Sequence, residues 1–385
     1  MKHWIIAARD RLGIGLAQDG LASSVAIHLE AAAQWILRAQ SATDDGGAAH
    51  SWDVRHGKWL APYPETSGYL IPTLYDYALH FQRPQYREPA RRMAQWEVEV
   101  QMSDGAVRAG TMDAPVLAPT IFNTGQVLFG LARAARETGD PRFVGATRRA
   151  ADWLVNAQDE DGCWRRFPSP FTTTTVAAYN TRTAFGLLRA FEVVPDERYL
   201  RAAERNAAWA VSTAASNAWL PGNCLGVHAD DRALTHTIAY SIRGLLEVGV
   251  ALDRPRYLEH ALTMATAVAA AQRPDGALPG YLGPRWNGLV RWTCVTGNAQ
   301  MAINWLRLAR ETGNEALRQH AHAANRFNMS IHELGDMPAE RHGGVKGSHP
   351  IDGGYMTWRY PNWAVKFFMD ALMLQELGPQ VRNIG

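Results

Sequence analysis

The sequence repeats itself about every 58 residues, and this period constrains the fold more than any other feature of the chain. The segment Ala-Arg-Glu-Thr-Gly occurs twice, beginning at Ala135 and at Ala309, which are 174 residues or three periods apart. A second series has Gln followed by Asp-Gly, and its members begin at Gln40, Gln101, Gln158 and Gln272. The spacing of this series predicts a degenerate copy near residue 214. The chain is therefore expected to consist of similar units that pack side by side.

Each unit predicts two helices. Residues 146–157 place apolar side chains on one helical face and charged side chains on the other, which is typical of a helix at the protein surface. Such helices share a tryptophan register, occupied by Trp35, Trp96, Trp153 and Trp209. A third series opens a more uniformly apolar helix, and its members lie near Glu65, Asn123, Asn180, His236, Gly297 and Asn362. We expect this second helix to be buried on most sides.

Six such helix pairs fill residues 20 to 380 and leave no linker between domains. Open solenoids of helix pairs have shorter periods, about 34 to 47 residues. We therefore predict an all-α fold in which residues 1–385 form one domain, an (α/α)6 toroid. Amphipathic helices should form its outer ring and buried helices its inner ring, with the long loops at one end.

Composition excludes several classes of protein. The net charge of +2 over 385 residues lacks the basic excess of a nucleic-acid-binding protein. Three cysteines, odd in number and far apart, exclude a disulfide scaffold and suit a reducing compartment, so we expect a cytoplasmic protein. The apolar run at the N-terminus is too short for a signal peptide, and no run of about 18 apolar residues predicts a membrane span.

The fourteen tryptophans divide into two groups. Those in the repeat register, together with Trp4 and Trp305 in other helical segments, are predicted to lie in the core. The other eight fall in loops or at the starts of inner helices, and they are Trp52, Trp59, Trp164, Trp219, Trp286, Trp292, Trp358 and Trp363. Because sugar rings stack on aromatic faces and their hydroxyls need many polar partners, these loops predict a sugar-binding face at one end of the toroid.

Some of these residues have simpler structural explanations, and two other chemistries would need residues that the sequence does not group together. The Asp of the Gln and Asp-Gly series is best explained as a turn former before glycine. Zinc would need clustered ligands, for which Cys163, Cys224, His228 and Cys294 offer no recognisable spacing. A terpene cyclase would need an Asp-rich motif that Asp44-Asp45 and Asp230-Asp231 do not form. We therefore expect neither a metal nor a cofactor.

Three segments carry a resemblance to known proteins: Tyr63-Pro-Glu-Thr-Ser-Gly-Tyr-Leu-Ile-Pro72, Tyr179-Asn-Thr-Arg182 and Thr235-His-Thr-Ile-Ala-Tyr240. They resemble uncharacterised proteins associated with bacterial polysaccharide biosynthesis, over most of the chain. More broadly, the pattern is similar to the (α/α)6-toroid group of carbohydrate-active proteins. This group includes inverting glycoside hydrolases, unsaturated glucuronyl hydrolases, polysaccharide lyases and sugar epimerases. The resemblance implies a bacterial oligosaccharide or polysaccharide as the substrate.

Our first hypothesis is a glycoside hydrolase. An inverting hydrolase needs a protonated acid and a base that activates water, about 6.5–9.5 Å apart. Glu65 and Asp352 are the predicted pair, with Asp53 as a substitute, because the first and last units adjoin in a closed toroid. The predicted substrate-binding residues are Trp52, Trp59, Tyr63, Tyr179, Asn180, Arg182, Trp286, Trp292, His349, Tyr355, Trp358 and Arg359.

Two further hypotheses stay open. A lyase or C5-epimerase acting on uronic acids needs a base and an acid around C5 and a group that neutralises the carboxylate. Tyr179, Asn180, Arg182, His236 and Tyr240 would supply these groups. The third hypothesis is a glycan-binding protein without activity, belonging to a polysaccharide synthesis complex.

Overall fold

Thirteen α-helices account for most of the computed structural model, which describes residues 2–13, 24–172, 176–223 and 232–378. Helix α1 (Lys2–Leu12) precedes the repeated units. The outer helices are α2 (Val25–Ser41), α4 (Arg87–Val100), α6 (Pro141–Ala157), α8 (Glu197–Ser212), α10 (Pro255–Ala270) and α12 (Glu315–Ser330). The inner helices are α3 (Pro64–His80), α5 (Ile121–Thr138), α7 (Thr181–Phe191), α9 (Thr235–Ala251), α11 (Val295–Thr312) and α13 (Asn362–Leu377).

The inner helices form a closed ring. Each packs against the inner helix of the next unit, and α13 packs against α3, so the last unit meets the first. Nearly every residue of α5, α9 and α11 is buried, whereas the outer helices bury one face. The prediction of an (α/α)6 toroid is confirmed.

Glycines let neighbouring inner helices approach closely. A Cβ atom on Gly130 of α5 would overlap the carbonyl oxygen of Gly68 in α3. A Cβ on Gly186 of α7 would likewise overlap the carbonyl oxygen of Gly125 in α5. Because no side chain fits between these backbones, the glycines set the diameter of the inner ring.

The Gln and Asp-Gly series links four outer helices, α2, α4, α6 and α10, to the next outer helix along the chain. In the second copy, the Asp104 carboxylate accepts a hydrogen bond from the Ala106 N–H at 3.1 Å, and Gly105 has a φ of +97°. The side chain of Gln101 donates to the carbonyl oxygens of Gly105 and of Ala146 in α6, both at 3.0 Å. The prediction that this aspartate forms a turn is therefore confirmed. Equivalent bonds are made by Gln40, Gln158 and Gln272.

A turn of the same kind follows residue 214, where the degenerate copy was predicted. Asn217 takes the place of the aspartate and accepts a hydrogen bond from the Trp219 N–H at 3.2 Å. Ala218 takes the place of the glycine and has a φ of +64°.

Short strands lie in the loops that lead into the inner helices. Strand β1 (Ser51–Asp53) pairs with β2 (Lys58–Trp59) and with β7 (Arg359–Pro361). The other pairs are β3 (Ala233–Leu234) with β4 (Tyr281–Leu282), and β5 (Thr293–Cys294) with β6 (Ser348–His349). Since β1 belongs to the first unit and β7 to the last, their pairing closes the loop end of the toroid.

Most of the tryptophans predicted to lie in the core do so. Trp35, Trp96, Trp209 and Trp305 are buried, while Trp153 is half-buried. The prediction for Trp4 is wrong, because 57% of this residue is exposed. Helix α1 lies outside the repeated pairs and buries Ile6 and Ala7 against the rest of the protein, whereas Trp4 contacts the ring of Trp358 but stays largely exposed. In the ranges described above, no helix combines the length and the apolar character needed to cross a bilayer.

Candidate functional site

A cavity of about 750 Å³ opens at the loop end of the toroid. Its floor is formed by the first turns of α3, α5 and α9, and its walls by the loops that precede the inner helices. Six tyrosines line it: Tyr63, Tyr69, Tyr179, Tyr240, Tyr281 and Tyr355. Of the described lining residues, the only carboxylates are Glu65 and Asp113, and the only arginine is Arg359. The cavity is thus aromatic, with few charges.

Glu65 is the second residue of α3, where the preceding Pro64 favours the start of a helix. Burial raises the pKa of Glu65 to about 7, against the effect of a hydrogen bond donated by the Tyr63 hydroxyl at 2.5 Å. The Tyr63 oxygen accepts in turn from the side chain of Asn123 at 3.3 Å. A substantial fraction of Glu65 is therefore protonated at neutral pH, and a protonated carboxyl can donate a hydrogen bond.

His236 lies in the first turn of α9 and is neutral at physiological pH. Burial lowers its pKa to about 4. Its Nδ1 atom lies 2.7 Å from Oε1 of Gln300 in α11. With Oε1 of the Gln300 amide turned towards the ring, the bond has its proton on Nδ1 and leaves a lone pair on Nε2, since a carbonyl oxygen can only accept.

Tyr240 follows His236 by four residues, so both side chains lie on one face of α9. Their rings are 4.5 Å apart. The Tyr240 hydroxyl is buried and, apart from the neighbouring Tyr69, has no hydrogen-bond partner among the described residues. Burial raises the pKa of Tyr240 above its usual value, so the phenol keeps its proton at neutral pH. A neutral acceptor and a protonated donor thus stand side by side.

Arg359 brings a positive charge to the cavity wall. It begins β7, opposite Asp53 in β1, and its Nε atom lies 3.6 Å from the Asp53 carboxylate. Burial alone would raise the pKa of Asp53, but hydrogen bonds from His56 and the charge of Arg359 lower it. Asp53 is therefore ionised and holds Arg359 in place. Burial lowers the pKa of His50, which also lines the cavity, to about 3, so this imidazole adds no charge.

The chain is similar to carbohydrate-active proteins. A family model described as the ulvan lyase N-terminal domain matches residues 107–294, a span that contains Asn123, His236 and Tyr240. No curated protein matches the sequence.

Several solved structures share the fold. An unsaturated glucuronyl hydrolase specific for heparin has a TM-score of 0.73 and 16% identity, covering 92% of this chain and 97% of that one. A D-mannose isomerase has a TM-score of 0.71 and 14% identity, covering 91% and 97%. A cellobiose 2-epimerase from Bacillus thermoamylovorans has a TM-score of 0.67 and 10% identity, covering 89% and 95%. At these identities, the likeness establishes the fold of the chain.

The structure brings seven of the predicted catalytic and substrate-binding residues into this cavity. They are Tyr63, Glu65, Tyr179, His236, Tyr240, Tyr355 and Arg359. They come from units that are far apart in sequence, as the closed toroid requires. Three of them, Tyr179, His236 and Tyr240, belong to the lyase or epimerase hypothesis.

Asp352 does not join Glu65, and the expected carboxylate pair does not form in this cavity. The Asp352 side chain is bonded to Arg11 of α1 and is not part of the cavity lining. The neighbouring Ile351 N–H donates to Asp10 of α1 at 2.9 Å. Helix α1 thus holds this turn, and the repeat pattern carried no information about where α1 packs. Asp53 also lies behind the wall, where it acts on Arg359.

Seven of the eight loop tryptophans lie outside the cavity lining, and four of them pack against one another in pairs. Trp59 contacts Trp35 and Trp52, with ring centroids 5.1 and 5.4 Å away, and Trp286 contacts Trp219 at 5.0 Å. The ring of Trp358 contacts Trp4 of α1, and Trp292 lies under Gly280 and Gly354. Of all the tryptophans in the described ranges, the cavity lining includes only Trp363. The loops need an apolar core of their own, and these indoles supply it.

Three other predicted residues lie away from the cavity lining. The guanidinium of Arg182 is buried 4.3 Å from the ring centre of Phe129, and burial lowers its pKa to about 9. Asn180 is buried at the start of α7, and His349 lies 3.8 Å from Asp10. Of the zinc and terpene candidates, Cys224, His228, Asp230 and Asp231 fall outside the described residues; elsewhere in the described ranges no three potential ligands cluster.

Several residues at this site are not among the catalytic and substrate-binding residues predicted from sequence. His50, Tyr69, Asp113, Phe171 and Tyr281 line the cavity, and Gln300 contacts His236 from behind. The signal for Gln300 was present, because it belongs to the series that opens the inner helices. Nothing in the local pattern marked Phe171, whose position depends on the path of a long loop.

Proposed function

We propose that this chain is a carbohydrate-active enzyme that cleaves a uronate-containing oligosaccharide or polysaccharide by β-elimination. The observation that carries this proposal is the pair formed by His236 and Tyr240. A neutral imidazole with a free Nε2 and a protonated phenol lie 4.5 Å apart in an aromatic cavity. Elimination needs one group that takes the proton from C5 and one that protonates the departing oxygen on C4.

In the proposed reaction, Nε2 of His236 accepts the C5 proton of the uronate. The C5–H electron pair forms a double bond between C4 and C5, and the bond between C4 and the glycosidic oxygen breaks. Tyr240 donates its proton to that oxygen, which leaves as a hydroxyl. The phenol then recovers a proton while His236 loses one, so the enzyme returns to its starting state without consuming water.

Two groups favour removal of the C5 proton by neutralising the uronate carboxylate. The charge that develops at C5 spreads onto this carboxylate, and a donor or cation beside it stabilises the transition state. Arg359 supplies a cation held by Asp53, and Glu65 supplies a donor whenever it is protonated. The side-chain amide of Asn123 also lies nearby, but it already donates to the Arg108 carbonyl oxygen and to the Tyr63 hydroxyl, so we do not assign it to the uronate carboxylate.

Hydrolysis is a second candidate, favoured by the pKa of Glu65. A carboxyl with a pKa of about 7 suits a general acid that protonates a glycosidic oxygen. Asp113, exposed on a loop of the second unit, is the other carboxylate among the described lining residues and would have to activate water. A C5-epimerase would use the groups of the elimination pathway but return a proton to C5 without breaking the chain.

A panel of glycans tests the proposal. Ulvan and heparin, which appear in the descriptions of two similar proteins, represent uronate polymers. Cellobiose serves as the neutral control. We expect ultraviolet absorbance from unsaturated uronate with at least one uronate glycan, and its loss in the His236→Gln variant. New reducing ends without this absorbance would show that the enzyme hydrolyses the glycan and does not act by elimination. Exchange of the C5 proton with solvent, without new ends, would indicate an epimerase.

We also propose that the enzyme works in the cytoplasm, in association with bacterial polysaccharide synthesis. The described cysteines Cys163 and Cys294 support a reducing compartment, since both are buried and unpaired. Fractionation of the source cells would test this part separately, because recovery of the protein outside the cytoplasm would contradict it.

A further inference from the structure

Helices α9 and α11 approach each other closely where both begin. A Cβ atom on Gly297 would lie 2.7 Å from the backbone nitrogen of His236 and 2.9 Å from the carbonyl carbon of Thr235. Cβ atoms do not approach other backbones this closely, so the first turn of α11 can pack here only with glycine at position 297. The contact places the next turn of α11 directly behind the imidazole of His236.

Gln300 occupies that next turn. Its side chain and that of His236 are both buried, and they meet through the 2.7 Å contact between Oε1 and Nδ1. Among the described residues, the ring of His236 has no other hydrogen-bond partner. Within the described ranges, the amide of Gln300 is therefore the group that can influence which ring nitrogen carries the proton, and an Oε1 that faces the ring favours a proton on Nδ1.

The groups that contact the ring of His236 carry no charge that would favour one ring nitrogen over the other. Tyr240 on α9 and Tyr355 on the last loop contact the ring, with centroids 4.5 and 5.4 Å away. Burial raises the pKa of both phenols, and it raises the pKa of Cys294 to about 12. These three groups are neutral at pH 7. The other charged or titrating groups of the described lining are Glu65 of α3, Asp113, Arg359 of β7 and His50, and burial lowers the pKa of His50 to about 3, so that its imidazole is neutral at pH 7.

We propose that Gln300 is a positioning residue that fixes the imidazole of His236 as the Nδ1–H tautomer and so presents Nε2 to the substrate as the proton acceptor. Gly297 provides the close approach that this contact needs. The inference rests on the proposed function in one respect, the role of His236 as the base. The tautomer itself can be measured without any substrate.

A neutral amide at this position has a consequence that a carboxylate would not have. A carboxylate would stabilise the imidazolium and raise the pKa of His236, so that the base would be protonated over a wider pH range. Gln300 orients the ring without this effect. His236 therefore stays unprotonated and available as a base across the neutral and mildly acidic range.

The first test is nitrogen NMR on protein labelled at histidine, with the His236 signals assigned by their loss in His236→Gln. In the unaltered protein we expect a protonated Nδ1 and an unprotonated Nε2. In Gln300→Met, which removes the acceptor at similar length, both tautomers should be populated. A proton on Nε2 in the unaltered protein, or an unchanged tautomer in Gln300→Met, would overturn the proposal.

Gln126→Met is the matched control. Gln126 is a buried glutamine in the corresponding helix start of α5, where its amide donates to the Phe122 carbonyl at 3.4 Å. This variant should leave the His236 signals and the pH profile unchanged. An equal change in both variants would mean that any buried glutamine affects the site through packing.

Turnover gives the second readout. In Gln300→Met we expect kcat to fall by about 10- to 100-fold with KM nearly unchanged, as for other residues that orient a reacting group. Gln300→Glu should keep the tautomer, and the acidic limb of its pH profile should move to higher pH. An acidic limb at the same pH as in the unaltered protein would contradict the hydrogen bond between residue 300 and His236. If no glycan is cleaved, the proposed function fails while the NMR result still decides the role of Gln300.

Discussion

The hydroxyl of Tyr63 donates a 2.5 Å hydrogen bond to Glu65 across the floor of the cavity, yet burial keeps the pKa of that carboxyl at about 7. Tyr63 and Glu65 lie together at the start of α3, and the carboxyl of Glu65 gains or loses its proton near physiological pH. The same floor carries His236 and Tyr240, so the site combines an ionisable donor with a neutral acceptor. Substitutions at each of these groups have separable consequences.

Glu65→Gln is expected to stabilise the fold at neutral pH. The unfolded chain loses the Glu65 proton near pH 4.3, about the value of a free glutamate, while the folded protein keeps it up to about pH 7. Raising the pH through this window therefore lowers the free energy of unfolding, by about 1–3 kcal/mol. Urea unfolding at pH 4 and pH 8 should show a gain for Glu65→Gln at pH 8 only. An equal gain at both values would contradict the raised pKa.

Tyr240→Phe is expected to reduce kcat by about 100- to 10,000-fold, the usual contribution of a general acid. Its stability should change by less than about 1 kcal/mol, because the hydroxyl has no partner apart from Tyr69 among the described residues. Initial rates and thermal unfolding measure the two effects. The control is Tyr281→Phe, which removes a hydroxyl elsewhere on the same cavity lining. A comparable loss of kcat in both variants would show that Tyr240 is not the general acid.

Arg359→Gln is expected to raise KM for uronate glycans by about 10- to 100-fold, since a hydrogen bond to a charged group contributes about 1.5–3 kcal/mol. Asp53→Asn should have a smaller effect in the same direction, because Asp53 acts by holding Arg359. The control is Arg55→Gln, which removes an arginine that lies over Trp358 and does not line the cavity. An unchanged KM in Arg359→Gln would show that another group binds the carboxylate.

Phe171→Ala is expected to weaken the binding of long oligosaccharides and not of short ones. Its ring lines the cavity mouth, and 57% of the residue is exposed, as expected for a surface on which a distant sugar stacks. The loss should be roughly fivefold in KM for the longest substrates. Leu117→Ala, at an exposed residue away from the lining, is the control. A loss that does not depend on substrate length would argue against stacking.

Gly130→Ala is expected to destabilise the toroid by about 1–3 kcal/mol or more, because the added Cβ would overlap the Gly68 carbonyl oxygen. Gly145→Ala, in outer helix α6, should instead stabilise it by about 0.4–1 kcal/mol, because the new atom meets only the end of the Arg149 side chain, 3.5 Å away. Urea unfolding of both variants measures the difference. Destabilisation of the same size in both would mean that the inner ring is not set by its glycines.

Residues that recur with the period could be interpreted from sequence alone. The contacts of Gln101 and Gln158 recur at Gln40 and Gln272, so one structural role explains four copies, and the same register predicted the helix pairs. A local pattern also identified Glu65 and His236, since both stand at the starts of inner helices. In these cases the repeat determined the position of the side chain.

Residues that occur once could not be placed in this way. The position of Asp352 depends on α1, which lies outside the repeat, and Trp286 lies in a loop whose path is set by contacts with another unit. Tryptophan is suited both to packing and to sugar binding, so its presence in a loop does not reveal which side of the loop it faces. The tyrosines at the heads of the inner helices were better indicators of the cavity than the tryptophans.

The proposed elimination by His236 and Tyr240 is tested most directly by digesting a uronate glycan in heavy-oxygen water and weighing the products. Elimination consumes no water, so the account predicts that new ends reduced to alditols at once, before the anomeric oxygen exchanges with solvent, carry no heavy oxygen and that each new reducing end is matched by one unsaturated uronate. Heavy oxygen in every new end, without unsaturated uronate, would contradict the account and establish hydrolysis in its place.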